Sequence, residues 1–92
     1  MRLLIKGSVH ERANFSTFES VVDDLPSILG KKQTQAVSDT FFLVKEIKED
    51  SIVFDYITPE KAEEIVLHCG ESHHIQFEGN AYGFTIDYAL VG

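Results

Sequence analysis

The feature that most constrains the fold is a pair of apolar runs at 40–47 and 52–57, both rich in aromatic and β-branched residues. The polar stretch 48–51 separates them, so the pattern predicts a β-hairpin. If Ile47 pairs with Ile52, side chains at alternate positions share a face. One predicted face carries Phe41, Leu43, Ile47, Ile52, Phe54 and Tyr56, and the other carries Phe42, Val44, Val53 and Ile57. Because both faces are largely apolar, each needs a cover: one helix can cover the first, and curling strands, a second subunit or a partner would cover the second.

A helix is predicted between the first strand and this hairpin. Ser16 and Glu19 have the spacing of a capping box, in which each side chain accepts a hydrogen bond from the other residue's amide. The apolar residues that follow at helical spacing are Phe18, Val21, Val22 and Leu25. Pro26 lacks an amide hydrogen and disfavours helical geometry in the residue before it, which predicts a kink. Gly30 takes the left-handed conformation readily and is the predicted end of the helix.

Residues 58–69 have two interpretations. Thr58 and Pro59 at one end and Gly70 at the other are typical helix boundaries, whereas the β-branched pair in the middle favours a strand. A compact turn at 70–72 is followed at once by renewed alternation. This favours the strand, and it predicts a hairpin.

Residues 2–9 and 84–91 also alternate, and they predict the first and last strands. One face of the last strand carries Phe84, Ile86, Tyr88 and Leu90. The predicted fold is therefore α+β, an antiparallel β-meander of about six strands with one kinked helix after the first strand, in the order β-α-β-β-β-β-β. We expect a single compact domain over residues 1–92, since a chain of this length supports one modest core.

The segment 67–74, LHCGESHH, holds the only cysteine and three of the four histidines. In the predicted hairpin, Cys69 pairs with His73 and His68 with His74, so the two pairs point to opposite faces. A structural zinc needs ligands that converge on one side. We therefore predict no metal site, with a weak metal or ligand site at His68 and His74 as an alternative. Cys69 and His73 lack a third group to orient the base, so we predict no catalytic residues, no cofactor and no enzyme activity.

The charge narrows the choice of partner. Eight basic and fifteen acidic residues give −7, and eleven of the acids lie in residues 33–92. Such a field repels nucleic acid and anionic lipid, so we predict no direct contact with either. The single cysteine and an N-terminus unlike a signal peptide predict a cytoplasmic protein.

These observations predict a small, acidic, non-enzymatic inhibitor that masks the basic site of a nuclease or nucleic-acid-binding protein, as immunity, antitoxin and anti-defence proteins do. Acidity that only maintains solubility is the simpler interpretation of the charge. The candidate partner-binding residues are Asp55, Tyr56, Glu60, Glu63, Glu64, Glu71, Glu78 and Tyr82. In this hypothesis the carboxylates take the place of phosphates and the tyrosines anchor the interface. The other alternative is a homo-oligomeric structural or accessory protein that pairs through its sheet, for example as a homodimer.

Overall fold

The computed structural model describes residues 1–35 and 39–92, and these residues are almost entirely β-strand. They form the strands β1 (Arg2–Glu11), β2 (Asn14–Val22), β3 (Lys32–Thr34), β4 (Phe41–Ile47), β5 (Ser51–Ile57), β6 (Ala62–His68), β7 (Ser72–Glu78) and β8 (Tyr82–Val91). A single 3-10 turn, Leu25–Ile28, lies between β2 and β3. Within the described ranges, no helix is long and apolar enough to cross a lipid bilayer.

The strands form two antiparallel four-stranded sheets that pack face to face. The first sheet has the order β2-β1-β8-β7, and the second has the order β3-β4-β5-β6. Aromatic rings join their inner faces, since the Tyr88 ring of the first sheet lies 4.9 Å from that of Phe54 and 5.8 Å from that of Phe42. The buried core consists of Leu3, Ile5, Leu25, Phe42, Val44, Ile52, Phe54, Tyr56, Ile65, Leu67, Phe84, Ile86, Tyr88 and Leu90. Two sheets that share a core in this way make a β-sandwich.

The predicted first and last strands are confirmed, and they are neighbours at the centre of the first sheet. β1 pairs with β8 from Arg2 opposite Val91 to Glu11 opposite Tyr82. All four apolar residues predicted to share a face of the last strand are buried. This pairing therefore supplies much of the first sheet's inner surface.

The predicted helix, and with it the α+β class, is wrong because residues 14–22 form β2 instead. Phe18 lies opposite Gly7 and Val22 opposite Leu3 in β1, and both apolar side chains pack against the core. A spacing of four suits a strand as well as a helix, since it is a multiple of two. Val21, which only a helix would bury with them, is exposed. Pairing with β1 therefore overrides the capping signal.

The predicted hairpin at 40–57 is confirmed, including the pairing of Ile47 with Ile52, but the side chains of its first strand before Lys45 lie on the face opposite to the one predicted. A β-bulge at Lys45 shifts the register, so that Val44 pairs with Phe54. One extra residue moves every earlier side chain of the strand to the other face. The inner face carries Phe42, Val44, Ile47, Ile52, Phe54 and Tyr56. On the outer face Val66 of β6 remains 52% exposed.

The strand interpretation of 58–69 is confirmed by β6, but the predicted hairpin with the next strand is wrong. β6 pairs with β5, whereas β7 pairs with β8 in the other sheet. The turn between them crosses from one sheet to the other. Gly70 has a left-handed φ of 86°, and its amide donates to the Leu90 carbonyl at 2.8 Å. The neighbouring Cys69 amide donates to the Asp50 carbonyl at 2.8 Å, so the turn is tied to both sheets.

Candidate binding cleft

The segment LHCGESHH spans the crossing from β6 to β7, so its histidines and cysteine belong to different surfaces. His68 is exposed at the end of β6, and His74 is exposed on β7. Cys69 packs against the core with a free thiol, and His73 is half-buried opposite Tyr88. Among the described residues, no three His, Cys, Asp or Glu side chains are grouped so that they could hold a metal ion.

Two histidine–carboxylate pairs lie on the outer face of the first sheet. His74 Nδ1 is 2.6 Å from Asp87 Oδ1, and His10 Nε2 is 3.3 Å from Glu78 Oε2. The hydrogen bond to Asp87, and then its charge, raise the pKa of His74 above the usual 6.5. Glu78, a predicted partner-binding residue, is thus engaged within the sheet.

Three more of the predicted partner-binding acids, Asp55, Glu64 and Glu71, contact other groups of the chain. Asp55 and Glu64 flank Lys45 on the outer face of the second sheet, with Asp55 Oδ1 3.1 Å from Lys45 Nζ and Glu64 also bonded to it. These two hydrogen bonds, first to Glu64 and then to Asp55, raise the pKa of Lys45. Glu71 accepts a hydrogen bond from the His68 amide at 3.0 Å, so it stabilises the crossing turn. These carboxylates already have partners within the chain.

The other four candidates, Tyr56, Glu60, Glu63 and Tyr82, line one cleft of about 520 Å³. This cleft opens between the β5–β6 turn of the second sheet and strand β7 of the first sheet. Its lining consists of Asp39, Thr40, Tyr56, Thr58, Pro59, Glu60, Lys61, Glu63, His73, His74, Ile75, Gln76, Phe77, Tyr82 and Phe84. The volume is within the usual range of about 300–1,000 Å³ for ligand sites.

The charges of the cleft are mainly negative. Asp39, Glu60 and Glu63 carry carboxylates, and Lys61 is the one Lys or Arg among the described lining residues. The Lys61 ammonium lies 3.7 Å from a Glu63 carboxylate oxygen, so part of its charge is already balanced. The cleft therefore presents a negative potential to an incoming group.

An aromatic wall, formed by Phe77, Tyr82 and Phe84, bounds one side of the cleft. The ring centroids of Phe77 lie 5.4 Å from those of both Tyr82 and Phe84. Phe84 is buried, whereas Phe77 is 42% exposed and Tyr82 is 38% exposed. Aromatic faces beside carboxylates suit a cationic side chain, which is attracted by both.

Tyr56 brings a buried polar group to the same cleft. Its side chain is 3% exposed, and its hydroxyl has no hydrogen-bond partner among the described residues. Burial, followed by the nearby Tyr82 and Glu63, raises the pKa of Tyr56. The Tyr88 hydroxyl is likewise buried without a described partner, and burial together with Tyr56 raises its pKa far above the ordinary value. Buried hydroxyls normally have partners, so these two are exceptions among the described residues.

The remaining lining residues were not among the candidates, because they read as ordinary core or turn positions. His73, Ile75 and Phe77 face inward from β7, and Phe84 lies directly opposite Phe77 in β8. One signal was available, since three aromatic residues flank the short turn at 79–81. Residues opposite each other across a hairpin share a face, and this places the rings together.

Comparison with protein-family models, curated proteins and solved structures gives no match. The fold and the cleft thus define only a class, a β-sandwich with an acidic, aromatic cleft between its two sheets.

Proposed function

We propose that this protein is a non-enzymatic binding protein that holds a basic segment of a partner protein in the cleft. The observation that carries the proposal is the combination of the exposed Glu60 and Glu63 carboxylates with the exposed rings of Phe77 and Tyr82 in one cleft. A guanidinium or ammonium group satisfies both elements, because it donates to carboxylate oxygens and stacks on aromatic faces.

Masking of a basic site follows from the same chemistry. A nuclease or nucleic-acid-binding enzyme places arginine and lysine where phosphates bind. Carboxylates from Glu60 and Glu63 would occupy those positions, and the negative field of the chain would speed the encounter. An inhibitor of the immunity, antitoxin or anti-defence kind, acting in the cytoplasm, is therefore the proposed role.

The test uses a peptide of about eight residues in which arginine and valine alternate, a length typical of extended segments. We expect binding by isothermal titration calorimetry at about 0.01 M salt, weakening toward about 0.15 M as the Debye length falls from about 30 Å to about 8 Å. Glu63→Gln keeps the shape of the side chain and removes its charge. We expect at least about a tenfold loss of affinity, since a hydrogen bond to a charged group contributes roughly 1.5–3 kcal/mol.

Glu49→Gln is the matched control, because it removes the same charge at an exposed position in the β4–β5 turn, outside the cleft. It should keep the affinity within about twofold, as expected for a screened surface charge. Equal losses from the two variants would show that net charge alone holds the peptide. In that case the cleft is not the site.

A further inference from the structure

The backbone edge of β7 borders the cleft. Five consecutive residues of this strand, 73–77, line it. Side chains of a strand alternate between faces, so a single face would contribute every second residue only. A continuous run therefore means that the cleft lies along the edge of the strand, where its amides and carbonyls are. β7 ends the first sheet and pairs only with β8 among the described strands.

The hydrogen-bonding pattern shows which groups point to that edge. Beyond one end of the β7–β8 ladder, the Gly79 amide donates to the Tyr82 carbonyl at 2.9 Å. Beyond the other end, the Leu90 amide donates to the Glu71 carbonyl at 3.2 Å. Both are the next pairs in the register of the two strands. Hydrogen-bonded and non-bonded pairs alternate along an antiparallel ladder, and the two ends agree in phase.

It follows that His73, Ile75 and Phe77 exchange hydrogen bonds with β8. The amides and carbonyls of His74 and Gln76 point the opposite way, toward the cleft side of the strand. An unpaired strand edge is a template for another strand, and proteins commonly block it with lysine, proline or short length. β7 is seven residues long and contains neither lysine nor proline, whereas the edge strand β3 has three residues.

We propose that the basic segment binds as an added β-strand, paired with the backbone of His74 and Gln76 at the free edge of β7. The inference rests on the proposed function and specifies how the partner is held. Main-chain hydrogen bonds would supply affinity, and alternate side chains would supply specificity. Every second residue of the segment points into the sandwich, toward Glu63 and Tyr56, so basic residues are required at alternate positions.

Amide hydrogen exchange of the isotopically labelled protein tests this pairing directly. In the free protein, the amides of His74 and Gln76 exchange faster than those of Ile75 and Phe77. With the arginine–valine peptide at about ten times its Kd, exchange at His74 and Gln76 slows by about tenfold. Strand β2, the other edge of the same sheet, is the internal control, and its edge amides keep their rates. Binding without slower exchange at His74 and Gln76 would overturn the inference.

A pair of N-methylated peptides gives an independent readout. One carries methyl groups on the arginine amides and the other on the valine amides, so both have the same charge and composition. Successive amides of a strand point to opposite sides, so pairing with β7 uses one set only. We expect one isomer to bind like the parent and the other to lose about fivefold for each hydrogen bond removed.

The outcomes separate the two proposals. If the unmethylated peptide fails to bind, the proposed function fails with it. If all three peptides bind equally well, the cleft holds basic side chains but strand addition is wrong.

Discussion

At the scale of single residues, the buried hydroxyls of Tyr56 and Tyr88 have no hydrogen-bond partner among the described residues. A buried polar group without a partner destabilises the folded state by about 1–3 kcal/mol. We predict that Tyr88→Phe raises the free energy of unfolding by about 1 kcal/mol, because the ring contacts remain and the unpaired group is removed. Urea denaturation measures the change. A clear loss of stability would mean that the hydroxyl is hydrogen-bonded in the folded protein.

Tyr56→Phe distinguishes a ligand group from a packing group. Tyr56 lines the cleft while its hydroxyl is buried, so we expect unchanged or increased stability, and weaker binding of the arginine–valine peptide would show that the bound segment reaches the hydroxyl. Tyr88→Phe is the matched control, since Tyr88 is buried but does not line the cleft. It should leave the peptide affinity unchanged.

The His74–Asp87 pair makes the first sheet sensitive to pH. Because the pKa of His74 is raised in the folded state, folding favours its protonated form. The resulting stabilisation is fully present below the unfolded pKa of about 6.5, and it is lost as the pH rises through the folded value. An NMR titration of the imidazole protons should therefore give a pKa above 6.5, and Asp87→Asn should lower it.

Asp55→Asn is the control for this titration, because Asp55 lies on the other sheet and contacts Lys45 instead. It should leave the His74 titration unchanged. If Asp87→Asn also leaves it unchanged, the two side chains are not paired in solution.

At the scale of elements, the crossing turn between β6 and β7 connects the second sheet to the first. Gly70 has a φ of 86°, which a residue with a Cβ adopts at a cost of about 1–2 kcal/mol. We predict that Gly70→Ala lowers the free energy of unfolding by about that amount, as measured by urea denaturation. Gly92→Ala, at a position with open space around it, should have no measurable effect. Equal stability of the two variants would contradict the geometry of this turn.

Local sequence patterns predicted some secondary-structure elements correctly and others wrongly, and the difference has a physical reason. The hairpin at 40–57 has a pattern typical of strands, and at 58–69 the β-branched pair and the turn that follows outweighed the helix boundaries. The spacing of the apolar residues Phe18 and Val22, by contrast, fits both a helix and a strand. The capping box then favoured the helix. Whether such a segment pairs with β1 is decided by residues distant in the chain. The bulge at Lys45 could not be predicted from the local sequence either, since it depends on the neighbouring strand and the core against which the hairpin packs.

The residues of the candidate site were likewise predicted only in part. Tyr56, Glu60, Glu63 and Tyr82 were selected for their charge or aromatic character, and they meet in the cleft. The role of β7 was missed, because the sequence predicts that it pairs with β6. The site exists because β7 belongs to the first sheet, and residue types alone do not show this.

At the scale of the whole molecule, the second sheet is one continuous meander, β3 to β6, placed in the chain between the two halves of the first sheet. The chain therefore crosses between sheets twice, once after β2 and once after β6. The cleft lies between the β5–β6 turn and β7, and none of the residues of the second crossing, 69–71, lines it. Its exposed residues, such as Glu60 and Glu63, can therefore change without altering the core, whereas Tyr56 and Phe84 belong to both.

The free edge of β7 also bears on how copies of this chain behave toward each other. An exposed strand edge invites aggregation, because a second copy offers the same unpaired groups. Each copy carries a charge of −7, and carboxylates border this edge. Two such edges repel each other, so these acids oppose the pairing of β7 with a second copy. That protection is electrostatic, so it weakens as added salt screens the charges.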